Sequence, residues 1–259
     1  MRHPVRAKKH LGQHFLNDEH IAFQITEALT GNGYTQALEI GPGTGVLSQF
    51  LLDRQDLKMT LMDLDRESLE FLHEHYPEHR ERILYGDFLK EDLRPWLQEP
   101  LAIVGNFPYN ISSQILFRVF DLRAHIPEVV GMFQKEVAER IASPPGNKSY
   151  GILSVLLQAF YDIEYLFSVD EDRFTPPPKV KSGVIRLRRN TVQELDCPVK
   201  SFVQVVKMAF NQRRKTLRNA LKALISVKAD PTHELLSKRA EQLTVAQFVT
   251  LTNWIFSED

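Results

Sequence analysis

Cysteine is nearly absent: Cys197 is the only one in 259 residues. No intrachain disulfide can form, and a reducing compartment, the cytoplasm, is expected. No stretch approaches the roughly 18 apolar residues that cross a bilayer. The most apolar segment, 152–161, is broken by Ser154 and Gln158 and reads as a buried element, so no membrane is expected as a partner. Arg2, Arg6, Lys8 and Lys9 are followed by neither an apolar core nor a small-residue cleavage site, which excludes a signal-peptide pattern. No repeat or low-complexity tract is visible. No metal site is expected: His73, Glu74, His75 and His79 lack the spacing of a zinc-binding helix, and Pro77 interrupts the face they would share. Cys197 has no neighbouring base and is read as inert. Acidic residues are missing from one region. Between Asp196 and Asp230 there is no Asp or Glu, whereas Lys200, Lys207, Arg213, Arg214, Lys215, Arg218, Lys222 and Lys228 all fall there. The net charge of −1 therefore conceals one segment suited to a polyanion.

Up to about residue 190, short apolar runs alternate with amphipathic stretches, the pattern of a parallel sheet with crossover helices. Strands are predicted over 37–40, 59–62, 82–85, 102–104, 129–133, 163–168 and 184–187, and helices over 44–52, 66–76 and 112–122. Asp65 is placed to cap the second helix. The last two strands are separated by the proline-rich 170–182, too short for a crossover helix, so an antiparallel end to the sheet is expected. Beyond Thr191 only helices are predicted, over 202–210, 215–225, 233–240 and 245–256, with Thr244 capping the last. The expected architecture is an α/β doubly wound domain of residues 1–190 followed by a small all-α domain of residues 191–259.

Glu39-Ile40-Gly41-Pro42-Gly43-Thr44-Gly45 follows a strand and opens a helix. Gly41 and Gly43 let backbone approach a ligand without a Cβ clash. Asp63 ends the next strand, eighteen residues beyond Gly45, where a carboxylate accepts from ribose hydroxyls. This spacing fits an adenosine-containing cofactor better than a dinucleotide or a Walker loop. After the third strand, Asp87 can accept from an adenine amino group, and Phe88 can pack on its ring.

Asn106-Phe107-Pro108-Tyr109 follows the fourth strand. An aromatic amino group is a poor nucleophile because its lone pair is delocalised into the ring. Acceptors on its two hydrogens accommodate the charge that develops when it is alkylated. Asn106 offers a side-chain carbonyl, Pro108 a backbone carbonyl, and Tyr109 a face on which a base can stack. The remaining task is to hold the amine in line with a sulfonium methyl. The motif fits methylation of an amino or amide nitrogen, on nucleic acid or on protein.

With Gly12-Gln13-His14-Phe15-Leu16, Asp63-Leu64-Asp65, Gly86-Asp87, Phe174-Thr175-Pro176-Pro177-Pro178-Lys179-Val180 and 209–217 added, the chain resembles, nearly end to end, the ribosomal RNA adenine dimethyltransferases, particularly those acting on the small subunit. The resemblance implies a Rossmann-like, S-adenosylmethionine-dependent enzyme. It would place two methyl groups on each of two adjacent adenosines near the 3′ end of small-subunit rRNA. It implies cofactor contacts at His14, Leu16, Gly41, Asp63, Asp87 and Asn106, and a second base-stacking face at Phe174. It implies RNA phosphate contacts at Arg213, Arg214, Lys215, Arg218 and Lys222, with a basic arm from Arg2, Arg6, Lys8 and Lys9. A monomer acting on the pre-ribosomal 30S particle and aiding its maturation is expected. His14 stands where many relatives have Asn, and Asp63 where many have Glu; an imidazole adds a titratable group beside the cofactor. A large-subunit rRNA dimethyltransferase, a nicotinamide dehydrogenase and a non-enzymatic ribosome assembly factor are the competing readings.

Overall fold

The computed structural model describes residues 5–225 and 232–257; Arg2 and Lys228 of the basic reading lie outside them. The chain forms two compact units, Met1–Ala138 with Ile163–Arg189, and Glu139–Asp162 with Asn190–Asp259.

The first unit begins with β1 (Phe15–Leu16) and α1 (Glu19–Glu27), then β2 (Gln36–Ile40), α2 (Ser48–Leu52), β3 (Lys58–Asp63), α3 (Arg66–His75), β4 (Ile83–Tyr85), β5 (Leu101–Asn106), α4 (Ser112–Asp121) and β6 (Glu128–Gln134). After α5 (Lys135–Ala142), which bridges the unit boundary, come β7 (Tyr161–Val169), β8 (Phe174–Thr175) and β9 (Ser182–Arg189). Seven strands form one sheet in the order β4-β3-β2-β5-β6-β9-β7. The first five in that order are parallel and β9 runs antiparallel to β6. The central strands are buried along nearly their whole length, which explains why they read as continuous apolar runs. The chain leaves β2 towards β3 and β4, then returns to β5 on the other side of β2. That reversal opens a crevice at the carboxyl ends of β2 and β5.

Asp65 caps α3 as expected, accepting from Glu67 N at 3.1 Å. The predicted helix 44–52 starts a turn late, at Ser48. Gly41, Gly43 and Gly45 have φ of +69°, +56° and +81°, and a right-handed helix needs negative φ throughout. A separate antiparallel pair, unseen in the sequence, joins β1 to β8, with Phe15 opposite Thr175 and Leu16 opposite Phe174.

The second unit contains α6 (Ile152–Gln158), α7 (Val199–Asn211), α8 (Leu217–Ala220) and α9 (Val245–Phe256). The units do not divide at 190/191: Glu139–Asp162 belongs with the later segment. The cause is α6, whose Leu153, Val155, Leu156 and Leu157 are buried in a helix that packs on α7 and α9. Thr244 caps α9 in a reciprocal box with Gln247. Two predicted helices shorten. The 215–225 segment gives only α8 followed by turns, and 233–240 tightens into the 3₁₀ turn Glu234–Ser237.

Candidate active site

The carboxyl ends of β2, β3, β4 and β5, with the segment preceding β1, enclose a cleft of about 760 Å³ including its open mouth. Nine residues singled out in the sequence line it together: His14, Gly41, Gly43, Asp63, Asp87, Phe88, Asn106, Pro108 and Tyr109. The parallel register brings them to one edge, pairing Ile40 with Met62 and Asp63 with Tyr85.

Glycine is required in the β2 loop by both conformation and space. A Cβ on Gly43 would lie 2.8 Å from the Phe15 ring. Asp63 is buried, and each carboxylate oxygen is already aimed by backbone: Oδ2 accepts from Gly43 N at 3.1 Å and Oδ1 from Asp65 N at 2.8 Å. Burial pushes its carboxyl up to about 6, against the pull of those two N–H groups. Each oxygen keeps a lone pair able to accept a further hydrogen bond. Glu39, also buried, is pushed up to about 8 by desolvation, and Ser48 Oγ donates to it at 2.7 Å. Asp87 Oδ1 accepts from Leu89 N at 3.0 Å, while Lys90 Nζ lies 3.2 Å from Oδ2. Phe88 is buried at the cleft wall, with the Arg118 guanidinium 5.3 Å above its ring.

Around β5 the orientation is set by long-range partners. Asn106 Nδ2 donates to His14 O at 2.9 Å. Because that carbonyl can only accept, the amide nitrogen must face it, which leaves Oδ1 as the end directed away. Pro108 O accepts from Ile111 N at 3.2 Å and retains one lone pair. His14 Nδ1 donates to Pro176 O at 2.7 Å, and its ring lies 5.3 Å from that of Tyr109, tilted by 30°. Phe107 is buried: Gly131 holds space for its ring, since a Cβ there would lie 2.2 Å away.

Two expected site residues do not reach the cleft. Leu16 and Phe174 face each other in the β1–β8 ladder and are buried in the hydrophobic core, 1% and 3% exposed. Side chains alternate along a strand, so Phe15, on the other face, lines the cleft instead. A two-residue strand carries too little periodicity to show this in sequence. Lys8 is not part of a free arm either. Its ammonium pairs with Asp65, and with Glu67 at 3.2 Å, while Gln13 Nε2 donates to Asp65 at 3.1 Å. Asp65 thereby straps the N-terminal segment to the start of α3.

In the second unit, Arg214, Lys215, Arg218 and Lys222 are exposed. Arg213 is only half exposed and is engaged internally: Nε donates to Glu241 Oε2 at 3.1 Å, and the guanidinium also donates to Lys148 O. The histidines near residue 75 have separate neighbours, His73 Nε2 against Ile83 O and His75 stacked on Phe71. Among the described residues no group of three His, Cys, Asp or Glu is placed to hold a metal.

The sheet order, the glycine cradle and the buried acid that ends the next strand define a Rossmann-like S-adenosylmethionine-dependent methyltransferase. Over residues 5–257 the chain matches the family described as ribosomal RNA adenine dimethylase, and it belongs to that family. It is 58% identical to the ribosomal RNA small subunit methyltransferase A of Cytophaga hutchinsonii, covering 97% of this chain and 98% of that one. It is 54% identical to the protein of the same name from Flavobacterium johnsoniae, covering 97% and 96%. Among solved structures, a dimethyladenosine transferase from Plasmodium falciparum superposes with a TM-score of 0.76 at 24% identity, covering 92% and 96%. The 23S rRNA methyltransferase ErmE does so with 0.68 at 25%, covering 92% and 99%.

Proposed function

We propose that the protein transfers methyl groups from S-adenosylmethionine to N6 of two adjacent adenosines near the 3′ end of small-subunit rRNA, giving N6,N6-dimethyladenosine. The observation that supports this reading most is the Asn106–His14 hydrogen bond, which engages the amide nitrogen and leaves Oδ1 free to accept. The small-subunit target rather than the large is supported by the two relatives at 58% and 54% identity, both named for the small subunit.

When bound, S-adenosylmethionine would supply an electrophilic methyl on a positively charged sulfur, with S-adenosylhomocysteine leaving as the S–C bond breaks. Gly41 and Gly43 would admit it, Asp63 would hold its ribose, and Asp87 with Phe88 its adenine. The target adenine is turned out of its strand and stacks on Tyr109. Asn106 Oδ1 and Pro108 O accept from its two amino hydrogens, so positive charge developing on N6 meets fixed dipoles. The proton leaves to water once the new N–C bond has made it acidic, and no side-chain base is required. After one methyl is in place, one N–H remains to be held by one of the two acceptors.

Arg214, Lys215, Arg218 and Lys222 follow the RNA phosphates. The working form is a cytoplasmic monomer that acts on an assembling 30S particle and contributes to its maturation. Mass spectrometry of rRNA nucleosides after incubating the purified protein with undermethylated small subunits tests the reading. N6,N6-dimethyladenosine at adjacent positions is expected; its absence, or its appearance in large-subunit rRNA instead, overturns it.

A further inference from the structure

Tyr109 has a hydroxyl that base stacking does not need, and that hydroxyl shares a hydrogen bond with Ser182 Oγ. Ser182 is fully buried at the first position of β9, opposite Gln134 at the end of β6, and the ladder extends one step further as Lys135 N donates to Lys181 O at 2.9 Å. Water therefore does not reach the serine, and the phenol is itself largely desolvated, which pushes its pKa up. The serine hydroxyl left alone would be a buried, unpaired polar group, and the phenol a half-buried one. The antiparallel strand thus holds the far end of the tyrosine ring, while the His14 ring stands 5.3 Å from it.

We propose that Ser182 is a positioning residue for methyl transfer: it pins the Tyr109 phenol so that the ring stays at one angle relative to Asn106 Oδ1 and Pro108 O. The proposal rests on the adenine-stacking role given to Tyr109 above. A ring free to tilt misplaces the amino group most at the second transfer, when one remaining N–H and a bulkier nitrogen must be aligned. Misalignment of about 1 Å costs on the order of 100-fold in rate.

The test compares wild type, Ser182→Ala, Tyr109→Phe and the double variant on undermethylated small subunits, with S-adenosylhomocysteine binding followed by calorimetry. Ser182→Ala and Tyr109→Phe are each expected to lower kcat by between about 10-fold and 100-fold. KM for the subunit and affinity for the cofactor product should change little. Compared at equal total methyl incorporation, both variants should accumulate N6-methyladenosine over the dimethyl form. A mere loss of folded enzyme does not produce that shift. The double variant, which leaves no orphaned hydroxyl, should be no slower than the single ones. Wild-type kcat and product ratio in Ser182→Ala would overturn the proposal, as would a loss that tracks cofactor affinity or thermal stability alone. If wild type transfers no methyl group while still binding the cofactor product, the function proposed above fails and this inference falls with it.

Discussion

Asn106 and His14, ninety-two residues apart, are joined by a 2.9 Å hydrogen bond from the side-chain amide of the first to the main-chain carbonyl of the second. The bond ties the N-terminal segment to the cleft wall and decides which end of the Asn106 amide is left free to accept.

Replacing Asn106 by Ala is expected to reduce methyl transfer by about 100-fold or more, the scale of losing one preorganised polar group at a charged transition state. RNA binding should be largely spared. Asn106→Asp should do no better, since a carboxylate cannot donate to His14 O and its own oxygen would face that carbonyl. Single-turnover rates and a gel-shift titration provide the check; an active Asn106→Asp enzyme would remove the orienting role of His14 O.

Cofactor affinity should depend on pH through Asp63. Its carboxyl is raised from 3.8 to about 6 in the free protein. Ribose hydroxyls donate to the ionised form, so binding is complete above that value and weakens below it, by up to about tenfold per pH unit. Glu39, pushed up to about 8 by burial, titrates above Asp63. For folding the sign is opposite to that of a paired carboxylate. The native state holds the proton more tightly, so this group favours the free fold at pH below 3.8 and withdraws that support as pH rises through 6. Calorimetric titration with S-adenosylhomocysteine between pH 5 and 7.5 should show the fall, and Asp63→Asn should flatten it. A pH-independent affinity in wild type would contradict the assignment.

Gly131→Ala should damage the site from beneath. The new Cβ would meet the Phe107 ring at 2.2 Å, between Asn106 and Pro108. An overpacked core of this kind costs about 1–3 kcal/mol. Thermal unfolding should register that loss, and methylation should fall further than the unfolded fraction accounts for. Full activity per folded molecule would show that the Phe107 position does not matter to its neighbours.

Basic residues of the second unit should separate into two kinds. Neutralising Arg214 and Lys215 together should weaken RNA binding and reduce the slope of log affinity against log salt by about 1.5–2. Arg213→Ala should chiefly lower thermal stability, because its guanidinium ties Glu241 and the Lys148 carbonyl. Equal salt slopes for wild type and the Arg214/Lys215 variant would take those two residues out of the interface.

Every strand predicted for the main sheet forms; the central ones are the plainest, because burial on both faces demands a continuous apolar run. The glycine cradle was equally visible: glycine spacing and a terminal acid are local properties. The shortened helices and the late start of α2 were hidden, since backbone conformations such as φ of +56° at Gly43 are permitted by glycine but not announced by it. The core positions of Leu16 and Phe174 were hidden for a related reason. The face each side chain takes follows from pairing across 158 residues of chain, with Leu16 opposite Phe174.

What the amino-acid order determined by itself is therefore chemistry: the acids, amide, carbonyl and aromatic ring that line the cleft, and the strands whose ends carry them. The tertiary structure decided orientation. It aimed the Asn106 amide with His14, anchored the Tyr109 phenol on Ser182, swung Phe15 rather than Leu16 to the cleft, and committed Arg213 to Glu241. Backbone propensity and periodicity act over a few residues, whereas the partners that fix a side chain's direction are supplied by segments brought together only when the core closes.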